Sequence, residues 1–459
     1  MQESLLEYYE RELTFLRQLG QEFAQSYPKV AGRLLLEPGK CEDPHVERLL
    51  QAFALLAARI HHKIDDDFPE ITDAFIGLLY PHYLAPIPSM SIVQFFLDPE
   101  QGKLTSGYHI AKGMQLYAKP IEGTQCRFRT CYPTTLWPVE VKSAKFESVD
   151  QPVGESKSGA ILRLELQCLA GMTFADLEID RLRFYLDGES QIVHTLYELL
   201  LNHVHEIRVG PPGAKGGKKP HVLMPDRLSP VGFGLEEGLL PYPPHAFLGY
   251  RLLQEYLSFP QKFHFIDFVG LNEVDRSGVK DRLEVAFVLD RLPKAGQTVG
   301  PENFRLGCAP IVNLFELITE PIRLDETQHE YMVIPDIRRS KANEVYSIKS
   351  VLLTETGSDH SRPVHPIYSL KHSAAPEEQS AYWYTTRRPS ERKGDDGTEV
   401  FLSCVDLKFD PTVPAGDTLM ITATCTNRDL PSRLPVDDLR GDFELEGAAP
   451  LLRIRSLVK

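Results

Sequence analysis

At roughly 150 residues per domain, 459 residues allow about three domains, and with 42% of them apolar each has material for a core, which excludes disorder as a general description. Lysine and arginine number 50 against 64 aspartates and glutamates, a net charge of −14, so a polyphosphate binder acting through a whole-surface cationic field is excluded. No apolar run approaches the ~20 residues a membrane-crossing helix needs, and even the stretch Ile92 to Leu97 contains Gln94.

The chain opens MQESLLEYYERELTFLRQLG, acidic where a secretory signal is basic and without an h-region, so the expected location is the cytoplasm. Leu5, Tyr9, Leu13, Leu16, Leu19, Phe23 and Tyr27 step by three or four and predict one apolar stripe on a helix that Pro28 closes. Tyr8 and Phe15 flank that stripe, and the aromatic excess suits either cover by the chain's own later helices or a groove in another protein. Asp43-Pro44 reads as a cap and first turn of a second helix striped by Val46, Leu49, Leu50, Phe53, Leu56, Ala57, Ile60 and Ile64. A third helix, from about Glu70 to Tyr80, is expected to bury Ile71, Phe75, Leu78 and Leu79. Residues 1–90 carry 8 Lys+Arg and 14 Asp+Glu, which disfavours nucleic acid or an anionic membrane as the partner and leaves protein.

Three prolines within residues 81–90 mark a boundary, after which the dominant period becomes two. SIVQFFL, ILRLELQCL, LRFYLDG, RLEVAFVLD, EVFLSCVDLKF and DTLMITATCT all read as strands, with helices only at Ile192 to Leu201 and His245 to Leu257. The fold class is therefore α+β: a helical region over 1–90, a β-rich α+β domain over 91–230 and one or more β-rich domains over 231–459. Residues 210–220, 371–381 and 387–397 read as exposed loops, the first and last expected to be mobile or ordered only by partners.

Motifs for chemistry are incomplete. In GPPGAKGGKKP, Pro212 stands where a phosphate loop needs glycine and Lys219 where it needs Ser or Thr. His203 and His205, read as a strand pair facing one way, lack an evident third ligand, and Asp65 to Asp67 lack the spacing of a calcium loop. The seven cysteines, at 41, 126, 131, 168, 308, 404 and 425, form no CxxC and read as buried free thiols. No catalytic residue, cofactor or metal is expected. The rival readings are a hydrolase whose site lies in the β-rich region and uses His203, His205 or scattered carboxylates, and a carbohydrate-binding β module.

The segments YYERELTFLRQLGQEFAQSYPKVAGRL, DPHVERLLQAFALLAARIHHKIDDDFPE and LLYPHYLAPIPSMSIVQF, in that order, resemble the opening of the TssF family, also called VasA or ImpG, baseplate subunits of the bacterial type VI secretion system. CRFRT, PVGF, GYRLLQEYLSFPQKFHFIDFVGL, CAPIVNLFE and CTNRDLP extend the resemblance over nearly the whole chain. The resemblance implies a structural wedge subunit with no catalytic residues, held on the cytoplasmic side of the inner membrane. Its implied partners are a second TssF copy, a TssG-like subunit, a TssK-like adaptor, a TssE-like sheath initiator and a VgrG-like hub and spike. It further implies that Leu5, Tyr9, Leu13, Leu16 and Phe23 supply an interaction seam. Family chains usually continue past the CTNRDLP segment into a further domain, whereas this sequence stops at Lys459.

Overall fold

Proline and its neighbours set the helix boundaries at the start of the chain. Helix α1 (Gln2–Ser26) ends before Pro28, which opens α2 (Pro28–Arg33), since proline's missing N–H is harmless in a first turn. A two-stranded ribbon, Leu36–Glu37 with Lys40–Cys41, leads to α3 (Pro44–Asp66), where the Asp43 carboxylate accepts the His45 amide at 2.8 Å. Helix α4 (Pro69–Leu79) follows. In α4, Phe75 and Leu79 are exposed, against the expectation that they would be buried; the side chains of Ile71 and Leu78 lie outside the described residues. Residue spacing puts side chains on one face but does not supply an element to cover it.

The computed structural model describes residues 2–33, 36–37, 40–41, 43–66, 69–98, 104–149, 159–213, 220–243, 246–276, 279–293, 297–325, 328–354, 360–367, 381–406, 417–435 and 441–458. Packing divides the chain into two units, Met1–Leu84 and Ala85–Lys459. The first is helical; the second is built from strands with two longer helices, α5 (Ser190–Asn202) and α6 (Leu248–Ser258). The whole is α+β, with helices first and β-rich sheets, including a barrel, after them.

The barrel closes in the order Cys308–Val312, Met90–Leu97, Leu451–Ser456, Phe443–Leu445, Gln115–Ala118, Arg127–Thr130. Val93, Phe95, Leu116, Phe128, Ile311 and Ile454 point inward and form its core, as alternation along each strand requires. A five-stranded sheet (His221–Leu223, Val204–Gly210, Arg282–Leu289, Gly159–Cys168, Val139–Val149) shares one core with a four-stranded sheet (Leu228–Pro230, Phe265–Val269, Arg181–Leu186, Phe304–Arg305). Leu162, Leu164 and Leu166 meet Phe184 and Phe268 there, and α5 adds Val193, Leu196 and Leu199. The largest sheet runs Phe315–Ile318, Thr418–Thr426, Glu344–Thr354, Ser361–Pro366, Ala381–Pro389, Thr398–Asp406, Tyr331–Met332, with Ile322–Arg323 also on Thr418–Thr426. Three of these four assemblies draw strands from both sides of residue 230, so the stretches 91–230 and 231–459 share sheets.

Residues 387–397, expected to be mobile, are held in place. Asp395 forms an ion pair with Arg428 and accepts from Ser390 Oγ at 2.9 Å, and Arg392 donates to the Ser340 carbonyl at 3.1 Å. Polar composition was read as a lack of anchoring, but here the charges are the anchors. Residues 214–219 of the other loop, and most of 371–381, lie outside the described residues.

Candidate interaction surface

Helices α1 and α3 run antiparallel, as their contacts show: Tyr8 meets His62 edge-on at 5.3 Å, Glu12 Oε1 lies 2.8 Å from His61 Nδ1, and Arg17 donates to Glu47 at 2.6 Å. On α3 the fully buried side chains are Ala54 and Ala58, four apart, and on α1 Glu12 is the one buried position among the described residues. Small residues at this spacing let two helices approach closely, so the pair is joined by alanine packing and polar bonds, with half-buried apolar side chains such as Leu13 and Leu50 adding to it.

The bulk is left outside. Leu49 (70% exposed), Phe53 (61%), Leu56, Ile60 and Ile64 run along α3 at helical spacing with no cover among the described residues, and α1 adds Phe15, Leu19 and Phe23. Of the five positions expected in an interaction seam, Leu5, Tyr9, Leu13 and Leu16 are half-buried on α1, and Phe23 is exposed with its ring 5.2 Å from Tyr27. Tyr8 is half-covered by His62 and by the Arg11 guanidinium 5.0 Å above its ring, whereas Phe15 is open to solvent. Sequence reasoning singled out α1 and missed that α3 carries the longer open stripe. The signal was present in Ala54 and Ala58, which mark the face turned to α1 and leave the large residues on the other.

The remaining candidates do not converge on a site. His203 is not on a strand: it caps the C-terminus of α5, and its Nδ1 lies 2.9 Å from Asp290 Oδ1, while His205 sits exposed on the next strand. A helix ends between them, so their imidazoles do not share a strand face. Among the described residues no three His, Cys, Asp or Glu side chains gather as metal ligands. Of the six cysteines whose side chains are described, five are buried and Cys404 is half-buried, and burial pushes each thiol up, Cys126 to about 11 and Cys131 to about 12, which suits inert core residues. An open cleft of about 230 Å³ is lined by Arg127, Phe315, Glu320, Asp336, Arg339 and Asn427. Its two carboxylates accept the backbone amides of Ile337 and Arg338, so they serve a turn rather than a substrate.

No helix among the described residues is long and apolar enough to cross a membrane. The family model described as type VI secretion system, TssF, matches residues 1–459. The type VI secretion system component TssF1 of Pseudomonas aeruginosa is 37% identical over 476 residues, an alignment spanning all of this chain and 76% of that protein. Among solved structures, a chain of the type VI secretion TssK-TssF-TssG baseplate subcomplex, determined by cryo-electron microscopy, is similar with a TM-score of 0.69 and 26% identity, over 90% of this chain and 73% of that one. A chain of the type VI secretion baseplate complex gives a TM-score of 0.53 at 24% identity, over 99% and 76% of the two chains, a likeness of fold. On these matches this chain belongs to the TssF family, a family of structural type VI secretion baseplate proteins.

Proposed function

We propose that the chain is a scaffold subunit of the baseplate wedge, and that its residues 1–90 form the helical unit through which it joins a second copy and a TssG-like subunit. The observation that carries this reading is the open apolar stripe of α3, flanked by Phe15, Leu19 and Phe23 of α1. An amphipathic helix exposing such a face is completed by helices of a partner, with residues at i, i+3, i+4 and i+7 as anchors. Leu5, Tyr9, Leu13, Leu16 and Phe23 extend the same seam along α1. The subcomplex containing the similar chain is named for TssK and TssG, which supports a TssK-like adaptor and a TssG-like subunit as partners here. A TssE-like sheath initiator and the VgrG-like hub and spike complete the assembly, at the cytoplasmic face of the inner membrane, where the wedges support growth of the contractile sheath. Nucleic acid has no part in it, consistent with the net charge of −14.

The test is co-expression with the neighbouring TssG- and TssK-type subunits and native mass measurement of what co-purifies. A stable complex containing this chain and a TssG-type subunit is expected; a chain that purifies alone under those conditions would overturn the proposal.

A further inference from the structure

The walls of the open cleft of about 230 Å³ are fastened together by buried asparagines. Asn313 Nδ2 donates to the Arg127 carbonyl at 2.7 Å and to Asn427 Oδ1 at 2.8 Å, while Asn313 Oδ1 accepts the Asn427 amide at 2.6 Å. Asn427 Oδ1 also accepts the Arg127 amide at 2.9 Å, and Asn427 Nδ2 donates to Asn343 Oδ1 at 3.2 Å. Asn313 lies two residues before the strand Phe315–Ile318, and Asn427 follows the strand Thr418–Thr426. The network therefore ties the barrel strand Arg127–Thr130 to the largest sheet, and a fully satisfied buried network of this kind holds its members rigidly.

Two guanidiniums line this cleft. Arg127 is half-buried, its Cζ 5.4 Å from the centre of the buried Phe315 ring, and Arg339 is exposed at the end of the turn Ile337–Arg339. Neither forms an ion pair with a carboxylate among the described residues, in a chain of net charge −14 whose Arg163 and Arg305 each hold a carboxylate at 2.6 Å. The acids of the same cleft are engaged elsewhere: Glu320 accepts the Ile337 amide at 3.2 Å and Asp336 the Arg338 amide at 2.9 Å. Beside the guanidiniums the wall is apolar, from Leu317, Pro335 and Ile318, the last 66% exposed. Leu317 and Ile318 point to opposite faces of their strand, so the cleft lies along the strand's edge. That strand stands at the end of the largest sheet and pairs with Thr418–Thr426.

We propose that this cleft receives an extended acidic segment of a partner protein, with an aspartate or glutamate side chain meeting Arg127 and Arg339 and an adjacent apolar side chain lying on Leu317, Ile318 and Pro335. Charge complementarity selects the occupant: a guanidinium fork matches a carboxylate, and Phe315 holds the Arg127 fork in place before anything binds. Size selects it too, since the cleft is smaller than the ~300–1,000 Å³ that encloses a drug-sized ligand and suits a few side chains of a passing segment. The strand edge suits an extended backbone, as in peptide recognition by strand addition. A phosphodiester chain fits less well, because its charge repeats along its length and meets Glu320 and Asp336 in the same cleft. The rigid asparagine network keeps the cleft formed in the free chain, so little ordering accompanies binding.

The experiment is fluorescence anisotropy of the full chain with a dye-labelled peptide of alternating leucine and glutamate, blocked at both ends. Saturable binding is expected, weakened roughly tenfold when glutamine replaces glutamate, as loss of a charge-assisted hydrogen bond implies. Arg339→Gln should weaken the glutamate peptide, and Arg127→Gln with Arg339→Gln should weaken it more than about tenfold, whereas Arg282→Gln, which removes the same charge from the five-stranded sheet, should leave it unchanged. Should the double variant lose its circular dichroism spectrum, Arg339→Gln alone decides, its side chain being exposed. No saturable binding at millimolar peptide, equal binding of the glutamine peptide, or binding indifferent to Arg339→Gln overturns the proposal. So does tighter binding of the glutamine peptide with a free C-terminal carboxylate, or of a thymidine oligonucleotide. The helical unit is unaltered throughout, so failure here leaves the role proposed for residues 1–90 standing, and failure of co-purification there leaves this site standing.

Discussion

Lys262 and Glu255 show how far a single residue can sit from where its chemistry suggests. Both side chains are fully buried; burial pushes the lysine ammonium below its usual range and the neighbouring carboxylate partly restores it. Replacing Lys262 by Met leaves the Glu255 carboxylate buried and uncompensated, a change expected to cost about 3–5 kcal/mol in a urea titration, whereas Lys145→Met on an exposed pair should cost less than about 1 kcal/mol. His264 gives a second, pH-dependent test. Burial, reinforced by His194, lowers its pKa to about 4, so below the ordinary value of 6.5 the unfolded chain takes up a proton that the folded chain refuses. Stability from this group is present above 6.5 and is lost as pH falls toward 4, by about 2 kcal/mol between about pH 7 and about pH 5. His264→Phe should flatten that limb of the stability profile; an unchanged slope would show that other groups set it. The buried thiols were legible from dispersed, unpaired cysteines. The buried ion pair was not, because a charged residue in a helical pattern reads as facing water, and in α6 that rule assigns the two faces backwards.

At the scale of elements, boundaries were readable and faces were not. Pro28, Asp43-Pro44 and Pro69 locate the helices because capping and proline sterics act within a turn. Which side of α3 meets water depends on what lies against it, and for Leu49, Phe53, Leu56 and Ile60 that element is not in this chain's described residues. Phe53→Asp with Ile60→Asp is therefore expected to leave the helical circular dichroism signal intact and to abolish co-purification with a TssG-type subunit. Leu13→Asp should both loosen the helix pair and weaken assembly, since Leu13 is half-buried already. If instead the Phe53→Asp, Ile60→Asp chain unfolds, the stripe belongs to the chain's own core. Loop 387–397 teaches the converse: its composition predicts an exposed segment, mobile or ordered only by partners, yet the Arg428 and Asp395 pair ties it to the strand end at Thr426.

Across the whole molecule, the period-two stretches gave the strands, but their partners lie far off in sequence, where local pattern is silent. Met90–Leu97 pairs with Leu451–Ser456 on one side and Cys308–Val312 on the other, and Phe443–Leu445 bridges Leu451–Ser456 to Gln115–Ala118. Deleting residues 443–458 takes two strands from the six-stranded barrel and uncovers Phe95 and Val93. The expected outcome is loss of β signal in circular dichroism and rapid proteolysis of the second unit, with the helical signal of the first retained. A shortened chain with undiminished β structure would show that the barrel closes without them. The same closure fixes a schedule for synthesis. The strand that seals the barrel is translated roughly 350 residues after the strand it pairs with, which at about 5–20 residues per second is an interval on the order of 20–70 s. Throughout it the α1 and α3 hairpin, whose contacts are local, is already outside the ribosome with its apolar stripe uncovered. On the role proposed for residues 1–90, partner recruitment would then begin on the nascent chain, before the barrel exists, and the order of assembly would follow the order in which this polypeptide is made.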